Sequence, residues 1–242
     1  LNICNTSNLC LAGGVALNCV ANGKIVSNGV TENIWIQPAS GDAGGSIGSA
    51  LYYHNIELGL SMKSGDVMKG SYLGPSYSNN VVISELKKLK GVYKVLEDDV
   101  ICKSIAKEIA GGKVIGWFQG RMEFGPRALG NRSILGDPSN GEMQKTLNLK
   151  IKFRESFRPF APSVLKESSN DIFNLNIDSP YMLLVSDVKD RIEMSKSDKG
   201  LFGIDKLKIK RSKIPAVTHV DYSARIQTVD KKTNIKYYNL IN

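Results

Sequence analysis

The sequence has 242 residues, of which 42% are hydrophobic and 23% charged, and its formal net charge is +9. This composition excludes a disordered chain, and the length suits one large domain or two small ones. No apolar run approaches the roughly 20 residues that a membrane-spanning helix needs, and the N-terminus lacks the pattern of a secretory leader. We therefore expect a cytoplasmic protein with no membrane partner.

The charge is distributed unevenly along the chain. Residues 1–60 hold one lysine against three acidic residues, a balance of −2, so the remaining residues carry +11. This asymmetry predicts two units, the second of which faces anions. The chain starts at Leu1, within sequence that reads as structured, and we interpret it as a piece of a longer protein. The four cysteines show no CxxC pair and the two histidines lie far apart, which is typical of scattered reduced thiols and not of a zinc site.

Two strand–turn–helix patterns are predicted within residues 1–60. The first strand is NLCLAGG and its helix VALNCVANGKIVSNG; the second strand is ENIWIQP and its helix lies in SGDAGGSIGSALYYHNIELG. The arrangement is typical of nucleotide-binding α/β folds, in which the N–H groups of glycine-rich turns and helix N-termini face a phosphate. Neither turn is a Walker loop or a GxGxxG fingerprint. Glycines also let a strand and a helix pack closely, so each turn alone leaves both interpretations open.

A boundary is predicted at residues 61–79, where Gly, Ser and Pro interrupt every periodic pattern. Residues 80–242 then form the second unit, with a mixed sheet because strands outnumber helices after residue 130. Helices are expected at NVVISELKKLK, DDVICKSIAKEIAGG and NIKYYNLIN, and strands at YKVLE, KVIGWFQG, RSILGDP, RPFAPSVL, YMLLVSDV, AVTHV and ARIQTV. The charged segment KSDKGLFGIDKLKIKRSK is interpreted as a mobile insertion or an exposed edge hairpin.

Three basic motifs in the second unit predict an anion pocket. GWFQGRMEFGPRALGNRS carries Arg121, Arg127 and Arg132 between glycines and follows an apolar strand. LKIKFRESFRPFAPSV sets its cations among phenylalanines and prolines, and in an extended segment Lys150, Lys152 and Arg154 would share one face. An apolar wall strengthens the attraction of each cation for phosphate or carbonyl oxygens.

A third basic motif, THVDYSARIQTV, contributes Arg225, although an ion pair with Asp221 is an alternative role for this arginine. The sequence shows no Ser/His/Asp, Cys/His or paired-carboxylate arrangement, which argues against hydrolase chemistry. Basic motifs alone fit transfer chemistry on a phosphorylated substrate, where catalysis is mostly positioning and charge neutralisation. Asp42 is the best lone metal ligand, and its partner ligands would have to come from elsewhere.

Five stretches resemble, in order, motifs of the bacterial O-carbamoyltransferases, which decorate nodulation factors and antibiotics. They are NLCLAGGVALNCVANGKI, QPASGDAGGSIGSALYYH, GWFQGRMEFGPRALGNRSILGDP, IKFRESFRPFAPSVL and PAVTHVDYSARIQTV. The resemblance covers nearly the whole chain apart from an insertion near residues 190–213. It implies an α/β fold in which residues 1–60 are the C-terminal part of an actin/hsp70-like (ASKHA) ATPase domain. Residues 61–79 would be a linker and residues 80–242 a YrdC-like domain with a mixed twisted sheet, incomplete at its C-terminus.

The resemblance also implies a reaction and its residues. The YrdC-like domain would form carbamoyl adenylate from carbamoyl phosphate and ATP, and the ATPase-like domain would transfer the carbamoyl group to a hydroxyl of a small-molecule or glycan acceptor. A divalent metal, of the iron type or magnesium, would assist the transfer. The implied catalytic residues are Arg127, Lys152, Arg158 and Arg225, and the metal ligand is Asp42. The implied cofactor-binding residues are Gly13, Gly14, Asn18, Gly41, Gly44, Gly45 and Arg154.

Two family features are absent from this sequence: the paired metal histidines spaced HxxxH, and an NTSFN-like strand whose Ser and Asn help to hold the phosphates. We therefore expect the isolated chain to be impaired or inactive, although able to bind anions. Two alternatives remain: a YrdC-like threonylcarbamoyl-adenylate enzyme of tRNA modification, and a non-catalytic RNA-binding module that uses the basic surface. Nucleic acid is the less favoured partner, and the acceptor and oligomeric state, a homo-oligomer included, stay open.

Overall fold

The computed structural model describes residues 4–61, 65–195 and 198–242. The first part of the chain is a β–α–β unit followed by a helix. Its elements are β1 (Asn8–Leu11), α1 (Cys19–Ser27), β2 (Asn33–Ile36) and α2 (Asp42–Tyr52). β1 pairs in parallel with β2, and the intervening α1 makes the connection between them. Both strand–turn–helix predictions for this part are confirmed.

The second part contains most of the secondary structure. Its elements are α3 (Asn79–Lys88), α4 (Asp98–Ala110), β3 (Ile115–Phe118), β4 (Arg132–Leu135), α5 (Met143–Thr146), β5 (Ser163–Leu165), α6 (Ser169–Ile172), β6 (Leu184–Asp187), β7 (Ser223–Val229) and α7 (Ile235–Ile241). Among the described residues, β3 and β4 form an antiparallel pair, and the other three strands form a sheet of order β5-β7-β6. β7 runs parallel to β5 and antiparallel to β6. The fold is therefore α/β with a mixed sheet, as predicted.

Two local predictions for this part are wrong, and a third is tested only in part. YKVLE forms no strand, and Val95 within it is 70% exposed, because no neighbouring strand supplies a ladder or an apolar face. AVTHV begins with a short 3-10 turn, Pro215–Val217, whose end is fixed by the Thr218 hydroxyl donating to the Ile214 carbonyl. The charged segment near residue 200 was predicted to be a mobile insertion or an edge hairpin. Its described residues hold 3-10 turns, with one isolated antiparallel bridge between Arg191 and Ser212, while residues 196 and 197 lie outside the described residues and the mobility stays a prediction.

Helix α1 packs directly on strand β6, so the two parts share one core. Gly23 approaches the backbone of Val185 so closely that an added Cβ would overlap its carbonyl oxygen. The buried Asn22 amide donates to the carbonyls of Ala16 (2.8 Å) and Leu183 (3.1 Å). Because these buried acceptors lie in different parts of the chain, the bonds fix the position of one part on the other.

The segment around residues 68–75 also packs against the second part. The Phe124 N–H donates to the Ser71 carbonyl (2.7 Å), and the Gly74 N–H donates to the Met122 carbonyl (2.9 Å). This segment therefore lies alongside the loop between β3 and β4, which carries the first basic motif. No helix in the described part of the chain is long and apolar enough to span a membrane.

Candidate functional site

The loop between β3 and β4 is organised by one buried carboxylate. The Glu123 side chain is fully inaccessible to solvent, and its Oε1 accepts the backbone N–H groups of Leu129 (2.7 Å), Asn131 (2.9 Å) and Arg132 (3.3 Å). Its Oε2 accepts the Nε–H of Arg132 at 3.1 Å. A single side chain thereby joins the start of the loop to its end, and Arg127 is left between the two.

The three arginines of this loop have different roles. Arg132 is neutralised by Glu123, as its spacing in the sequence allowed. Arg121 donates to the carbonyls of Leu73 (3.0 Å) and Gly74 (2.9 Å), and so it fastens the preceding segment to the loop. Arg127 makes one long bond, from Nη2 to the Leu17 carbonyl at 3.4 Å, and its Nε is buried without a partner in the described part of the chain.

A cavity of about 1180 Å³ opens beside this loop. Its basic side is lined by residues from all three predicted motifs: Arg127, Lys152, Arg154, Arg158 and Arg225. Apolar lining residues come from α4, α5, β4 and α7, among them Ile109, Met143, Leu135 and Leu240. The structure therefore brings together five cations that lie up to 98 positions apart in the sequence.

The electrostatics of the cavity favour an anion. Burial lowers the pKa of Arg225, and the nearby charges of Arg127 and Arg154 lower it further. The Nε of Arg225 is buried without a hydrogen-bond partner among the described residues. Asp221 does not neutralise it, because the Asp221 carboxylate accepts the N–H (3.1 Å) and the hydroxyl (2.6 Å) of Ser223. Neighbouring half-buried cations without a counter-charge among the described residues are costly, and a bound anion would reduce that cost.

The second basic motif is curved, where the sequence predicted a possible extended segment. Residues Leu147–Ile151 form a π-helical turn that ends at Lys152, so Lys150 does not share a face with its neighbours and does not line the cavity. Arg154 is held by the Asn148 side chain (2.7 Å) and by the ring of Phe160, whose centroid lies 5.0 Å from the guanidinium carbon. The directions of the side chains in this motif are therefore set by the π-helical turn and not by the alternation of an extended strand.

Comparison with known proteins agrees with this geometry. Residues 106–242 match the sequence profile described as carbamoyltransferase C-terminus, and residues 2–51 match the one described as carbamoyltransferase N-terminus. The chain belongs to the carbamoyltransferase family. The two matched regions contain every residue predicted above for catalysis, cofactor binding and metal binding.

The curated relatives are consistent with this family assignment, and their names give different amounts of information about function. An uncharacterized protein of Synechocystis, sll1178, is 55% identical over 240 residues, covering 97% of this chain and 39% of that protein. Nodulation protein NolO of Bradyrhizobium diazoefficiens is 42% identical, covering 97% and 40%. A 3′-hydroxymethylcephem-O-carbamoyltransferase of Amycolatopsis lactamdurans is 32% identical, covering 98% and 39%. This carbamoyltransferase chain thus spans about two fifths of the length of these relatives.

The predicted site residues of the first part lie away from the cavity lining. Asn18 caps α1 by accepting the Ala21 N–H at 3.1 Å, while Gly13 has a φ of +88° that favours glycine. Gly44 has a packing role, because an added Cβ would overlap the Ala39 carbonyl oxygen. The remaining predicted positions, Gly14, Gly41 and Gly45, have no neighbouring atoms within 4 Å of an added Cβ, so space alone does not require glycine there.

Asp42 is exposed at the first position of α2. Within residues 4–61, 65–195 and 198–242, no group of three His, Cys, Asp or Glu side chains is placed to hold a metal ion. One exposed carboxylate does not provide the ligand set of a divalent metal. The described residues therefore do not fit a metal by themselves.

Two polar residues of the cavity wall, Ser163 and Tyr237, were missed by the sequence analysis, and so was Gln227, which bonds to Ser163 but does not itself line the cavity. The Tyr237 hydroxyl and Ser163 bond at 2.8 Å, Ser163 donates to Gln227 Oε1 (2.8 Å), and the Gln227 amide donates to the Leu129 carbonyl (2.8 Å). Burial raises the pKa of Tyr237 to about 12, so the phenol stays protonated and keeps donating to the Ser163 hydroxyl. These residues occur singly in otherwise apolar stretches, and no local pattern in the sequence distinguishes them.

Proposed function

We propose that this chain carries the carbamoyl phosphate-binding part of an O-carbamoyltransferase, and that carbamoyl adenylate is formed from carbamoyl phosphate and ATP in the arginine-lined cavity. The observation that carries the proposal is the pair Arg127 and Arg225, whose buried Nε atoms have no partner in the described structure. Both residues line the cavity and lie in the family-matched region. A phosphate group supplies the negative charge and the acceptor oxygens that this pair lacks.

Each cation has a distinct role in the proposal. Arg127 and Arg225 bind phosphate oxygens from the buried side. Lys152, which is exposed and has no carboxylate partner among the described residues, neutralises charge from the open side. Arg158 forms an ion pair with Glu155 (2.8 Å), and it therefore supplies a weaker contact to the phosphate. Arg154, oriented by Asn148 and Phe160, contacts the second phosphorylated substrate.

The cavity is larger than a carbamoyl phosphate molecule needs. Pockets that enclose an organic ligand commonly have volumes of about 300–1,000 Å³, and this cavity has about 1180 Å³. Its apolar lining residues suit the adenosine portion of ATP. Water would cleave carbamoyl phosphate to carbamate and inorganic phosphate, and a carbamate oxygen would then attack the α-phosphorus of ATP as pyrophosphate leaves. The protein assists both steps by alignment and charge neutralisation.

The finer assignments are part of the same proposal. We place residues 1–60 in an actin/hsp70-like domain that would pass the carbamoyl group to an acceptor hydroxyl, and residues 80–242 in a YrdC-like domain. The relative named as a cephem O-carbamoyltransferase supports hydroxyl transfer. Asp42 would serve as one metal ligand only if others lie outside the described residues, so no step is assigned to a metal. We place the enzyme in the cytoplasm, where ATP is available.

Calorimetric titration of the chain with carbamoyl phosphate tests the proposal. We expect saturable binding that Arg127→Ala weakens at least tenfold. Arg191→Ala is the matched control, because Arg191 is a surface arginine paired with Asp187 at 2.7 Å and does not line the cavity. Equal effects of the two changes, or an absence of binding by the unchanged chain, would overturn the assignment.

A second experiment separates this proposal from RNA binding. Electrostatic RNA binding falls steeply as salt rises and is indifferent to carbamoyl phosphate. A substrate pocket is occupied competitively, so carbamoyl phosphate should displace its own analogues, and ATP should displace ATP analogues, at constant salt. Formation of AMP that depends on carbamoyl phosphate, compared between this chain and a longer homologous protein, then measures how much activity the chain has alone.

A further inference from the structure

We infer that Glu123 is a positioning residue for anion binding: its carboxylate holds the β3–β4 loop in the shape that presents Arg127 to the cavity. The inference rests on the proposed function, in which Arg127 binds phosphate. Glu123 itself does not line the cavity, so its effect must pass through the loop. Neither the family comparison nor the sequence motif assigns it such a role.

The contacts of Glu123 enclose Arg127 on both sides. One carboxylate oxygen accepts three backbone N–H groups at 2.7–3.3 Å, all of them from positions 129–132. The other oxygen accepts from Arg132, whose Nη2 also donates to the Gly125 carbonyl at 3.3 Å. The carboxylate therefore closes the loop before and after Arg127, and four donors depend on it.

The loop depends on this closure because its own backbone is not regular. Gly125 and Gly130 have φ angles of +125° and +107°. Because glycine populates positive and negative φ about equally, the backbone at these positions does not fix the shape of the loop by itself. Tyr72 and Gln227 bind the Leu129 carbonyl (2.7 and 2.8 Å) from the outer side. Glu123 supplies the restraint from the inner side, through the N–H of the same residue.

Arg127 cannot hold its place alone. Its one hydrogen bond in the described structure is the long contact with Leu17, and its buried Nε has no partner. The adjacent charge of Arg225 repels it. Without the Glu123 carboxylate, Arg127 would move away from Arg225, and the paired phosphate-binding geometry would be lost while the cavity persists.

The test uses the full chain with Glu123→Gln, and Glu108→Gln as a matched control, since Glu108 pairs with Lys113 on the surface. We expect the Kd for carbamoyl phosphate to rise at least tenfold in Glu123→Gln and to stay within twofold in the control. Thermal unfolding of each variant shows that the titrated protein is folded. If Glu123→Gln does not fold, Glu123→Asp retains the charge but is too short for all four donors, and we expect the same loss.

Arginine Nε–Hε NMR spectra supply a readout that a loss of stability alone would not change. We expect the Arg127 signal to shift in Glu123→Gln while the Arg154 signal keeps its position. A folded variant with unchanged affinity, or with an unchanged Arg127 signal, would overturn the inference. Failure of the unchanged chain to bind carbamoyl phosphate would instead count against the proposed function, and the NMR comparison would still decide the role of Glu123.

Discussion

Arg127 and Arg225 line the same cavity, and the charge of Arg127 contributes to lowering the pKa of Arg225. The first is delivered by the β3–β4 loop and the second by the central strand β7. In the absence of a ligand this pair disfavours the folded state, because two half-buried guanidinium groups lie together and no carboxylate pairs with either among the described residues. The same pair favours the folded state once an anion is bound.

Replacing Arg225 by methionine should therefore have opposite effects with and without ligand. Its lowered pKa means that folding disfavours the charged form, so Arg225→Met should raise the unfolding midpoint of the free chain. We expect a rise of about 2–4 °C, which corresponds to about 1 kcal/mol for a chain of this size. The added stability that carbamoyl phosphate gives the unchanged chain should be lost. Differential scanning calorimetry with and without ligand measures both, and Lys103→Met on exposed α4 should change neither.

Lys152 and Lys150 form a matched pair for a binding test. Lys152 lines the cavity, whereas Lys150 lies in the π-helical turn outside it. Removing one charge-assisted contact costs about 1.5–3 kcal/mol, so Lys152→Ala should raise the Kd for carbamoyl phosphate tenfold or more. Lys150→Ala should change it less than twofold. Similar losses in both variants would show that this segment is extended when the ligand is bound.

Gly130 is predicted to be irreplaceable for the loop. Its φ of +107° strains any other residue, and an added Cβ would overlap the ring of Tyr237. Gly130→Ala should lower the free energy of unfolding by about 2–4 kcal/mol through strain and repacking. Gly116→Ala is the control, because Gly116 lies in β3 with nothing within 4 Å of the added carbon. Urea denaturation of both variants measures the difference, and equal stabilities would contradict the loop geometry.

His219 should make the stability of the chain fall in mild acid. Burial lowers its pKa below the ordinary value of 6.5, the charge of Arg225 lowers it too, and Asp221 opposes the shift. Below about pH 6.5 the unfolded chain takes up a proton that the folded chain binds less readily, so the free energy of unfolding decreases as the pH falls. His219→Asn should reduce this decrease between pH 7 and 5. His54→Asn, on an exposed residue, should leave it as in the unchanged chain.

The sequence was sufficient to predict what local spacing determines. Helix α4 and strand β3 follow from their apolar patterns, and the three arginines between glycines after an apolar strand predicted an anion pocket. The family resemblance, and not the spacing, singled out Arg127. Its pairing with Arg225 could not be read from the sequence, since 97 positions separate them and only the fold brings them together.

The errors have physical causes that lie outside each segment. YKVLE has strand-forming residues but no strand to pair with, and the predicted strand at AVTHV is replaced by a turn that begins at Pro215. The curve at Lys150 arises because the Asn148 amide donates to the carbonyls of Ser156 and Arg158, drawing the chain back on itself. Strand propensity and side-chain alternation describe only the local sequence, so they do not predict hydrogen bonds to a segment further along the chain.

The hydrogen bond from the Asn22 amide to the Leu183 carbonyl also limits how early during synthesis the protein can fold. It joins residues 161 positions apart, so α1 leaves the ribosome long before β6 exists. At 5–20 residues per second the interval is about 8–30 s. During that time α1 lacks the strand on which it packs, so the packing of the first part of the chain on β6 is completed only late in synthesis.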